Sequence, residues 1–398
     1  MHFRRRFSRK IILASAVLFL LFNILEVFHV LYSQRYALRD ADLRRPLALR
    51  RERIFIASLQ HNSGPNLRYN WNGALLNLIN ALGEDNVYVS IHESDSGDST
   101  KDALKELDQQ LDILEVPRTI TLSNETHEDA ISEPDQSDGW VDTARGRKER
   151  RRIPYLAHLR NLSLQPMFDM AASGEMFDRI LFLNAIVFSA EDVLRLLNTN
   201  NGEYAAACSL DFAEAPHVFD SFALRESDGQ QIFSREWPYF RSHDSRRAVQ
   251  ANEPTPVKSC WNGMVFMSSE PFLKSGLRFR GIPDSLAAQH LEASESCLIH
   301  ADNPESSQKG VFVNPTVRVG YNWGAYEAMK ADLSLWQIFS SLWKDRVRRW
   351  MTWSSSKDPE VATKLRKWTR EGVENKESGS FCLIDDMQVL ADDGWEHV

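Results

Sequence analysis

The chain contains 398 residues, and its 47 Lys and Arg against 55 Asp and Glu give a formal net charge of −8. Residues 1–53 carry 12 of the basic and 4 of the acidic side chains, which leaves a net charge of −16 on the rest of the chain. An acidic body argues against nucleic acid as a partner, because nucleic-acid binding depends on clustered Lys and Arg that neutralise phosphates.

The N-terminal residues have the pattern of a membrane anchor. Five basic residues lie among residues 1–10, and a largely apolar stretch of 20 residues follows at 11–30. A helix of about 20 residues crosses the hydrocarbon layer of a bilayer. A cleaved signal peptide is the alternative, but no small-residue cleavage site follows the stretch. We therefore predict a cytoplasmic tail (1–10), a transmembrane signal anchor (11–30) and a lumenal remainder, in a secretory-pathway membrane of Golgi type.

Beyond a stem at residues 31–50, the apolar residues recur alternately with period 2 and period 3.6. The predicted elements in chain order are strand 53–59, helix 67–82, strand 86–91, helix 99–114, a loop or lid at 124–148, helix 154–172, strand 179–183, a helix that follows Ser189, and strand 205–212. Strands that alternate with helices in this way predict βαβ units and a mainly parallel sheet. We expect one α/β domain over residues 51–325 and a less regular C-terminal extension over residues 326–398.

The first two predicted strands both end in polar residues. Asn62 follows the first strand, and Glu93, Ser94 and Asp98 follow the second. Ligands of open α/β sheets bind at the carboxyl ends of strands, so we predict that these groups hold the base and ribose of a nucleotide. The alternative for Asp98 is a structural role, in which it turns the chain and caps the next helix.

The most informative segment for function begins at residue 177. An apolar strand ends at Asn184 and Ala185, and Ser189 then starts an amphipathic helix with two acidic residues in its first turn. A transferase that uses a nucleotide sugar has a metal-binding carboxylate at such a strand end, whereas this chain has Asn184 and Ala185 there. The next strand leads to Asp211, which we predict to bind a metal or the hydroxyls of a sugar; a plain strand-end turn is an equally good interpretation.

Residues 259–302 hold the remaining candidates. Trp261-Asn262-Gly263 is a predicted turn that sets an aromatic plane beside a hydrogen-bonding amide, an arrangement suited to a sugar. The side chains that could contact an acceptor, act as a base or bind a metal are Glu292, Glu295, His300 and Asp302. We place His300 in an apolar strand, where a histidine is more often a satisfied core residue than a ligand.

All four cysteines lie beyond the anchor, where disulfides can form. Three complete pairings are open, and the sequence does not choose among them. Because Cys208 and Cys260 adjoin predicted strands, buried free thiols are as good an interpretation as a bridge.

Nine segments carry a resemblance to a known family. They are RIFIASLQHN, LGEDNVYVSIHES, RIPYLAHLRN, FDRILFLN, AACSLDF, SFALRESDG, SCWNGMVFM, LRFRGIPDSLAAQHLEASESCLIHADNP and VNPTVRVGYN. In this order they resemble the fungal capsule-associated mannosyltransferases, the cryptococcal α-1,3-mannosyltransferase group of glycosyltransferase family 69, over roughly residues 53–325. The resemblance implies a type II membrane protein with a GT-A-like domain, GDP-mannose as donor and Mn²⁺ or Mg²⁺ as cofactor. Such proteins build cell-wall, capsule or glycoprotein-attached mannan.

The resemblance also implies roles in a retaining transfer of mannose to a glycan acceptor. We expect Asp211 to bind the metal or the donor sugar, Glu295 to position the acceptor and His300 to make a second metal or phosphate contact. Arg160 is the best candidate to stabilise the diphosphate leaving group, and Asn184 belongs to the same donor site. The residues predicted to bind the acceptor are Trp261, Asn262, Asp284 and Glu292.

One departure from the family bears on activity. The family reads Phe-Leu-Asn-Asp-Val where this chain has Phe182-Leu183-Asn184-Ala185-Ile186, so a carboxylate is missing. Because Mn²⁺ and Mg²⁺ prefer hard oxygen ligands, its loss weakens metal binding. The alternative function is therefore a non-catalytic paralogue that acts as a glycan-binding or complex-assembly subunit. A glycoside hydrolase is less favoured, because its paired acids need no nucleotide crevice.

Overall fold

The computed structural model describes residues 2–44, 52–123, 127–132, 138–352, 359–391 and 394–398. The strands are β1 (Ile54–Gln60), β2 (Val87–Glu93), β3 (Arg118–Leu122), β4 (Trp140–Asp142), β5 (Lys148–Arg150), β6 (Arg179–Leu183), β7 (Ala206–Glu214), β8 (His217–Val218), β9 (Arg225–Glu226), β10 (Thr255–Ser259), β11 (Met264–Ser268), β12 (Val311–Gly320), β13 (Gln388–Ala391) and β14 (Gly394–His397). The helices are α1 (His2–Arg44), α2 (Gly64–Asn66), α3 (Asn72–Leu82), α4 (Thr100–Ile113), α5 (His127–Ser132), α6 (Arg152–Ala172), α7 (Ala190–Leu197), α8 (His243–Gln250), α9 (Glu270–Lys274), α10 (Asp284–Ala287), α11 (Glu295–Asp302), α12 (Ser306–Lys309), α13 (Trp323–Lys330), α14 (Leu335–Met351) and α15 (Pro359–Glu371).

The centre of the molecule is a ten-stranded sheet with the order β3-β2-β1-β6-β11-β7-β12-β10-β9, and β8 pairs with β7. β3, β2, β1 and β6 are parallel, as are β7 and β12, while β11 runs antiparallel between β6 and β7. This confirms the predicted α/β fold with a mainly parallel sheet. The carboxyl ends of these six parallel strands lie at one edge of the sheet, where ligands of such sheets bind.

Each face of the sheet has its own apolar core, because successive side chains of a strand point to opposite faces. On β6, Phe182 belongs to the cluster that includes α6, whereas Leu181 belongs to the cluster that includes α3 and α7. The chain leaves β6 through a short turn, and Ser189 caps α7 in a capping box with Asp192. The predicted helix start at Ser189 is therefore confirmed.

The apolar N-terminal stretch is part of α1. Its segment Lys10–Arg39 is long and apolar enough to cross a membrane, so by length and composition it is a candidate anchor. α14 packs against it, and the indole Nε1 of Trp343 donates to Asn23 Oδ1 at 2.6 Å. Residues 31–44 of the predicted stem continue α1, and residues 45–50 lie outside the described residues.

Some predictions of local structure are wrong. The sequence patterns do not predict β3, because this strand is only partly buried and lacks a strong apolar run. The described part of the segment 124–148 is not a plain loop, since it contains α5 and most of the β4–β5 hairpin. The C-terminal extension is less irregular than expected, because α14 and α15 are regular amphipathic helices.

The cysteines form two disulfides, Cys208–Cys260 and Cys297–Cys382. The first links β7 to the residue that follows β10, so the interpretation of these two as free thiols is wrong. The second links α11 to the C-terminal extension. This bond ties the extension covalently to the sheet domain, and it stabilises the fold because it restricts the unfolded chain.

Candidate active site

A cavity of about 320 Å³ lies beside the residues that follow β6, β8 and β12. We call it the acid cavity. The lining side chains that matter below are Arg152, Arg160, Asn184, Asp220, Trp261, Glu295, Tyr321, Gln388 and Trp395. Four predicted site residues (Arg160, Asn184, Trp261 and Glu295) are thus brought together from segments far apart in the sequence.

Two carboxylates meet at the base of the acid cavity. Asp211, on β7, is fully buried; its Oδ1 accepts from Asn262 Nδ2 at 2.8 Å and its Oδ2 from the Tyr321 hydroxyl at 3.3 Å. Because β8 folds back on β7, Asp220 lies beside Asp211, and its backbone N–H donates to Asp211 Oδ1 at 3.2 Å. Burial, together with the charge of Asp220, raises the pKa of Asp211 to about 7. Burial also raises the pKa of Asp220, and the charge of Glu295 acts in the same direction.

An ion pair forms one wall of the cavity. Arg160 Nε donates to Glu295 Oε1 at 2.9 Å, and the Ser296 hydroxyl donates to the same oxygen at 3.0 Å. The guanidinium carbon of Arg160 lies 4.5 Å from the ring centroid of Trp261, which is itself buried. Trp261 therefore orients Arg160 through a cation–π contact and offers little surface to a sugar.

The turn that carries Trp261 and Asn262 depends on Gly263. This residue has a φ of 82°, and a Cβ there would lie 2.6 Å from a Val319 methyl group and 3.3 Å from Asp211 Cβ. Its carbonyl accepts from the backbone N–H of Asn184 at 3.0 Å. The turn thus holds Asn184 at the cavity and Asn262 against Asp211.

Two predicted acceptor-binding residues lie elsewhere, in a group that we call the Arg151 cluster (Arg151, Asp284 and Glu292). Arg151 forms a two-point pair with Glu292, with N–O distances of 3.1 and 2.8 Å, and its Nη1 donates to Asp284 Oδ1 at 2.7 Å. The backbone N–H of Gly139 also donates to Asp284. Neither carboxylate lines the acid cavity, and both bind protein groups, so the structure gives them a role in the fold.

The four residues predicted to hold the base and ribose (Asn62, Glu93, Ser94 and Asp98) lie at the ends of β1 and β2. Glu93 accepts from the backbone N–H groups of Ser96 and Ser123, and Asp98 accepts from those of Gly64 and Thr100. Asn62 Oδ1 accepts from Gly97 N at 2.9 Å, and the Ser94 hydroxyl lies 3.2 Å from that of Tyr155. These contacts favour the structural interpretation of Asp98, and they leave Asn62, which is exposed, as the side chain best able to reach a ligand.

His300 lies apart from the acid cavity. It is in α11 rather than in the predicted strand, it is buried, and one of its ring nitrogens, Nε2, lies 2.8 Å from the Cys260 carbonyl oxygen. Burial lowers its pKa to about 4. Among the described residues His300 also lies near Cys208 and Cys260, but their sulfur atoms are joined in a disulfide and are not available as thiolate ligands. The structure therefore gives no support to His300 as a ligand at the acid cavity.

The sequence patterns miss five residues of the cavity, Arg152, Asp220, Tyr321, Gln388 and Trp395. Asp220 follows Asp211 by nine residues, and only the β7–β8 hairpin, with Pro216 as its turn signal, brings the two together. Tyr321 directly follows β12, so the strand-end rule that selected Asn184 applies to it as well. Arg152 begins α6 and lies in different surroundings from its neighbour Arg151. The periodicity of the sequence does not reveal this difference.

Carboxylates and guanidinium groups thus surround a polar cavity at the strand ends of the sheet, where ligands of such sheets bind. The chain belongs to the family described as Cryptococcal mannosyltransferase 1, which matches residues 53–302. It is 26% identical over 263 residues to the Alpha-1,3-mannosyltransferase CMT1 of Cryptococcus neoformans var. neoformans serotype D (strain JEC21 / ATCC MYA-565). That alignment covers 62% of this chain and 53% of the relative, so the match spans about half of the relative's length.

Solved structures similar to this chain include the mannosyltransferase PcManGT from Pyrobaculum calidifontis in complex with GDP-Man and Mn²⁺. It is 11% identical, with 87% of each chain covered and a TM-score of 0.36. GalNAc-T7 with UDP, GalNAc and Mn²⁺ is 12% identical, with 82% of this chain and 53% of that chain covered and a TM-score of 0.40. Similarities of this size say nothing about the ligand of this chain.

Proposed function

We propose that this protein is a membrane-anchored mannosyltransferase that transfers mannose from GDP-mannose to a glycan acceptor, in an α-1,3-mannosyltransferase-like, retaining reaction. Membership of the cryptococcal mannosyltransferase family supports the sugar and the reaction type. The single observation that carries the proposal is the acid cavity, where two carboxylates (Asp220 and Glu295) and two guanidinium groups converge at the strand ends, with the buried Asp211 beside Asp220. In the reaction the bond between C1 of mannose and the diphosphate breaks, the acceptor oxygen bonds to C1 on the same face, and GDP and one proton are released.

The basic side chains suit the diphosphate end of the donor. Arg160 and Arg152 both line the cavity, and Arg160 is bound there to Glu295 and stacked on Trp261. A diphosphate that binds Arg160 would leave Glu295 free to accept a hydrogen bond from the acceptor hydroxyl. Arg160 thus stabilises the leaving group, and Glu295 positions the nucleophile.

The acidic side chains suit a divalent cation. Burial and, after it, the charge of Asp220 raise the pKa of Asp211, so the ionised forms of the two carboxylates repel each other. Among the described residues no group donates to the buried acceptor Asn262 Oδ1. Carboxylate and amide oxygens are the hard ligands that Mn²⁺ and Mg²⁺ prefer. Asp220 and Asn184 at the cavity wall, with Asp211 beneath them, would hold the ion. A bound cation of this kind supplies positive charge that stabilises the departing diphosphate.

We place the protein in a Golgi-type secretory membrane, as a single-pass type II protein with a lumenal catalytic domain. α1 supplies the candidate anchor, and the basic residues that precede its apolar part favour a cytoplasmic N-terminus. The two disulfides support the lumenal side, because disulfides form in oxidising compartments.

A second candidate function is a non-catalytic paralogue that keeps the acceptor groove. Ala185 favours it, because this residue follows Asn184 at the cavity and offers no carboxylate. Its backbone carbonyl accepts from Asn66 Nδ2 at 2.9 Å, which fixes the turn without adding charge. A paralogue of this kind binds glycans without binding the donor in a metal-dependent way.

Calorimetric titration of the full chain in lipid nanodiscs with GDP-mannose, with and without Mn²⁺, distinguishes the two. The transferase proposal expects binding that Mn²⁺ strengthens, and it expects the Ala185→Asp variant to bind the metal and the donor more tightly. If the wild-type chain binds no donor in either condition and Ala185→Asp gains binding, the protein is a degenerate transferase. If neither chain binds the donor, the proposed function is wrong.

A further inference from the structure

A second cavity, of about 470 Å³, adjoins the C-terminal hairpin of β13 and β14. We call it the hairpin cavity. Leu390, Ala391, Trp395 and Glu396 line it from the hairpin, and the β4–β5 hairpin lines the opposite side. Trp395 also lines the acid cavity, as does Gln388. The hairpin is therefore a wall common to both cavities, and Trp395 stands between them.

The position of Trp395 is well fixed by its surroundings. The Arg152 guanidinium carbon lies 4.1 Å from the Trp395 ring centroid, and Arg152 Nη1 donates to Gln388 Oε1 at 2.7 Å. On the other side of the hairpin, Arg145 Nη1 lies 2.9 Å from Glu396 Oε2. Despite these contacts, 42% of the Trp395 surface is exposed. A large apolar ring held open to solvent by polar neighbours is a preformed contact surface.

The chemistry around Trp395 matches a carbohydrate. Four basic and two acidic side chains line the hairpin cavity (Arg145, Arg147, Lys148, Arg150, Glu149 and Glu396). Such side chains donate to and accept from hydroxyl groups, while an indole ring packs against the apolar C–H face of a pyranose. The six charged side chains are mixed with five apolar ones, so the cavity lacks the continuous apolar groove that a lipid chain or an amphipathic helix needs.

We infer that Trp395 and the hairpin cavity form a glycan subsite for an oligosaccharide acceptor. The sugar residues beyond the one that receives mannose lie over Trp395 and in the hairpin cavity, while the reactive end lies in the acid cavity. This inference rests on the proposed function for the reactive end alone. The family match ends at residue 302, so β13 and β14 lie outside it. The preference for longer acceptors therefore depends on the C-terminal extension, which lies beyond the matched residues.

The test measures glycan binding by calorimetry on the full chain in nanodiscs, with methyl α-mannoside and a linear α-mannotriose as probes. We expect the triose to bind the wild type about tenfold or more tightly than the mannoside, and Trp395→Ala to remove that advantage. Trp395→Tyr, which keeps an aromatic ring, should restore most of it. The matched control is Trp336→Ala, because Trp336 is 72% exposed on α14 and lies outside both cavities.

Equal binding of the two probes by the wild type would overturn the inference, as would a Trp395→Ala variant that keeps the preference for the triose. Thermal unfolding confirms that each variant is folded. If Trp395→Ala does not fold, the preference for the triose is compared between the wild type and Trp395→Tyr. The GDP-mannose titration is a separate measurement. A chain that prefers the triose through Trp395 but binds no GDP-mannose would disprove the proposed function and leave the glycan subsite standing.

Discussion

The Arg151 cluster and the acid cavity are built from the same residue types, yet their partners differ. Arg151 is fully buried, and its guanidinium group makes two hydrogen bonds to Glu292 and one to Asp284. In the acid cavity Arg160 pairs with Glu295, while among the described residues Asp211 and Asp220 form no ion pair and accept only from backbone N–H groups and neutral side chains. Carboxylates that are fully paired hold a fold together, whereas carboxylates that repel each other beside open space are suited to a ligand.

The two groups are also interleaved in the sequence. Arg151 and Arg152 are neighbours, and Glu292 and Glu295 are three residues apart, yet each pair is divided between the cluster and the cavity. The start of α6 is the dividing line, because Arg151 precedes the helix and points to Glu292 while Arg152 opens it. Substitutions of neighbouring residues should therefore differ in their effects on stability and on ligand binding.

The largest effect is expected from Arg151→Ala. It leaves Glu292 buried without its cation, and breaking a buried pair from one side costs about 3–5 kcal/mol of unfolding free energy. Urea unfolding of the full chain in detergent, followed by tryptophan fluorescence, measures the change. Arg160→Ala is the matched control, because Glu295 keeps its bond from Ser296 and opens onto the cavity. Equal destabilisation by the two variants would remove the distinction between cluster and cavity.

The second prediction concerns Asp220→Asn. Loss of this carboxylate should lower Mn²⁺ affinity by about 100-fold, the upper range for residues that support a metal site, and donor binding should fall with it. The unfolding free energy should not fall, because the substitution removes a charge that repels Asp211. Calorimetry with Mn²⁺ measures the first effect and urea unfolding the second. Asp244→Asn, at an exposed position on α8, is the control. Unchanged Mn²⁺ affinity in Asp220→Asn would contradict the assignment of the cation site.

A third prediction separates burial from function at His300. Its pKa is about 4 when folded and about 6.5 in the unfolded chain, so between these values the unfolded state binds more protons. Stability should therefore fall as the pH is lowered from about 6.5 to 4, by up to about 1.4 kcal/mol per pH unit from this group. His300→Gln should show a shallower loss in thermal unfolding over this range and should keep the wild-type Mn²⁺ affinity. A marked fall in Mn²⁺ affinity would instead restore the predicted metal role.

The fold followed from the sequence more fully than the site did. Alternating strand and helix patterns predicted β1, β2, β6 and β7, and the strand-end rule placed Asn184 at the edge of the sheet where the acid cavity lies. β3 escaped detection because an edge strand that is only partly buried has no strong apolar pattern. Whether a carboxylate is paired cannot be read from its position in the chain, since Glu292 meets Arg151 from 141 residues away. For the same reason Asp220 could not be predicted, because its role depends on a hairpin that sets it against Asp211.

The smallest effect is expected at the turn between β2 and α4, where Asp98 distinguishes a cap from a nucleotide ligand. Its carboxylate accepts from Thr100 N at 2.9 Å and Gly64 N at 3.0 Å, and burial opposes these bonds, which nevertheless hold its pKa below the ordinary value. Asp98→Ala should lower the unfolding free energy by about 1 kcal/mol, as the loss of a helix cap does, and should leave GDP-mannose affinity within about twofold. Ser99→Ala is the matched control, because the Ser99 side chain makes no capping bond. A tenfold loss of donor affinity in Asp98→Ala would instead assign this residue to the nucleotide site. The ligand-binding carboxylates would then include one that follows β2.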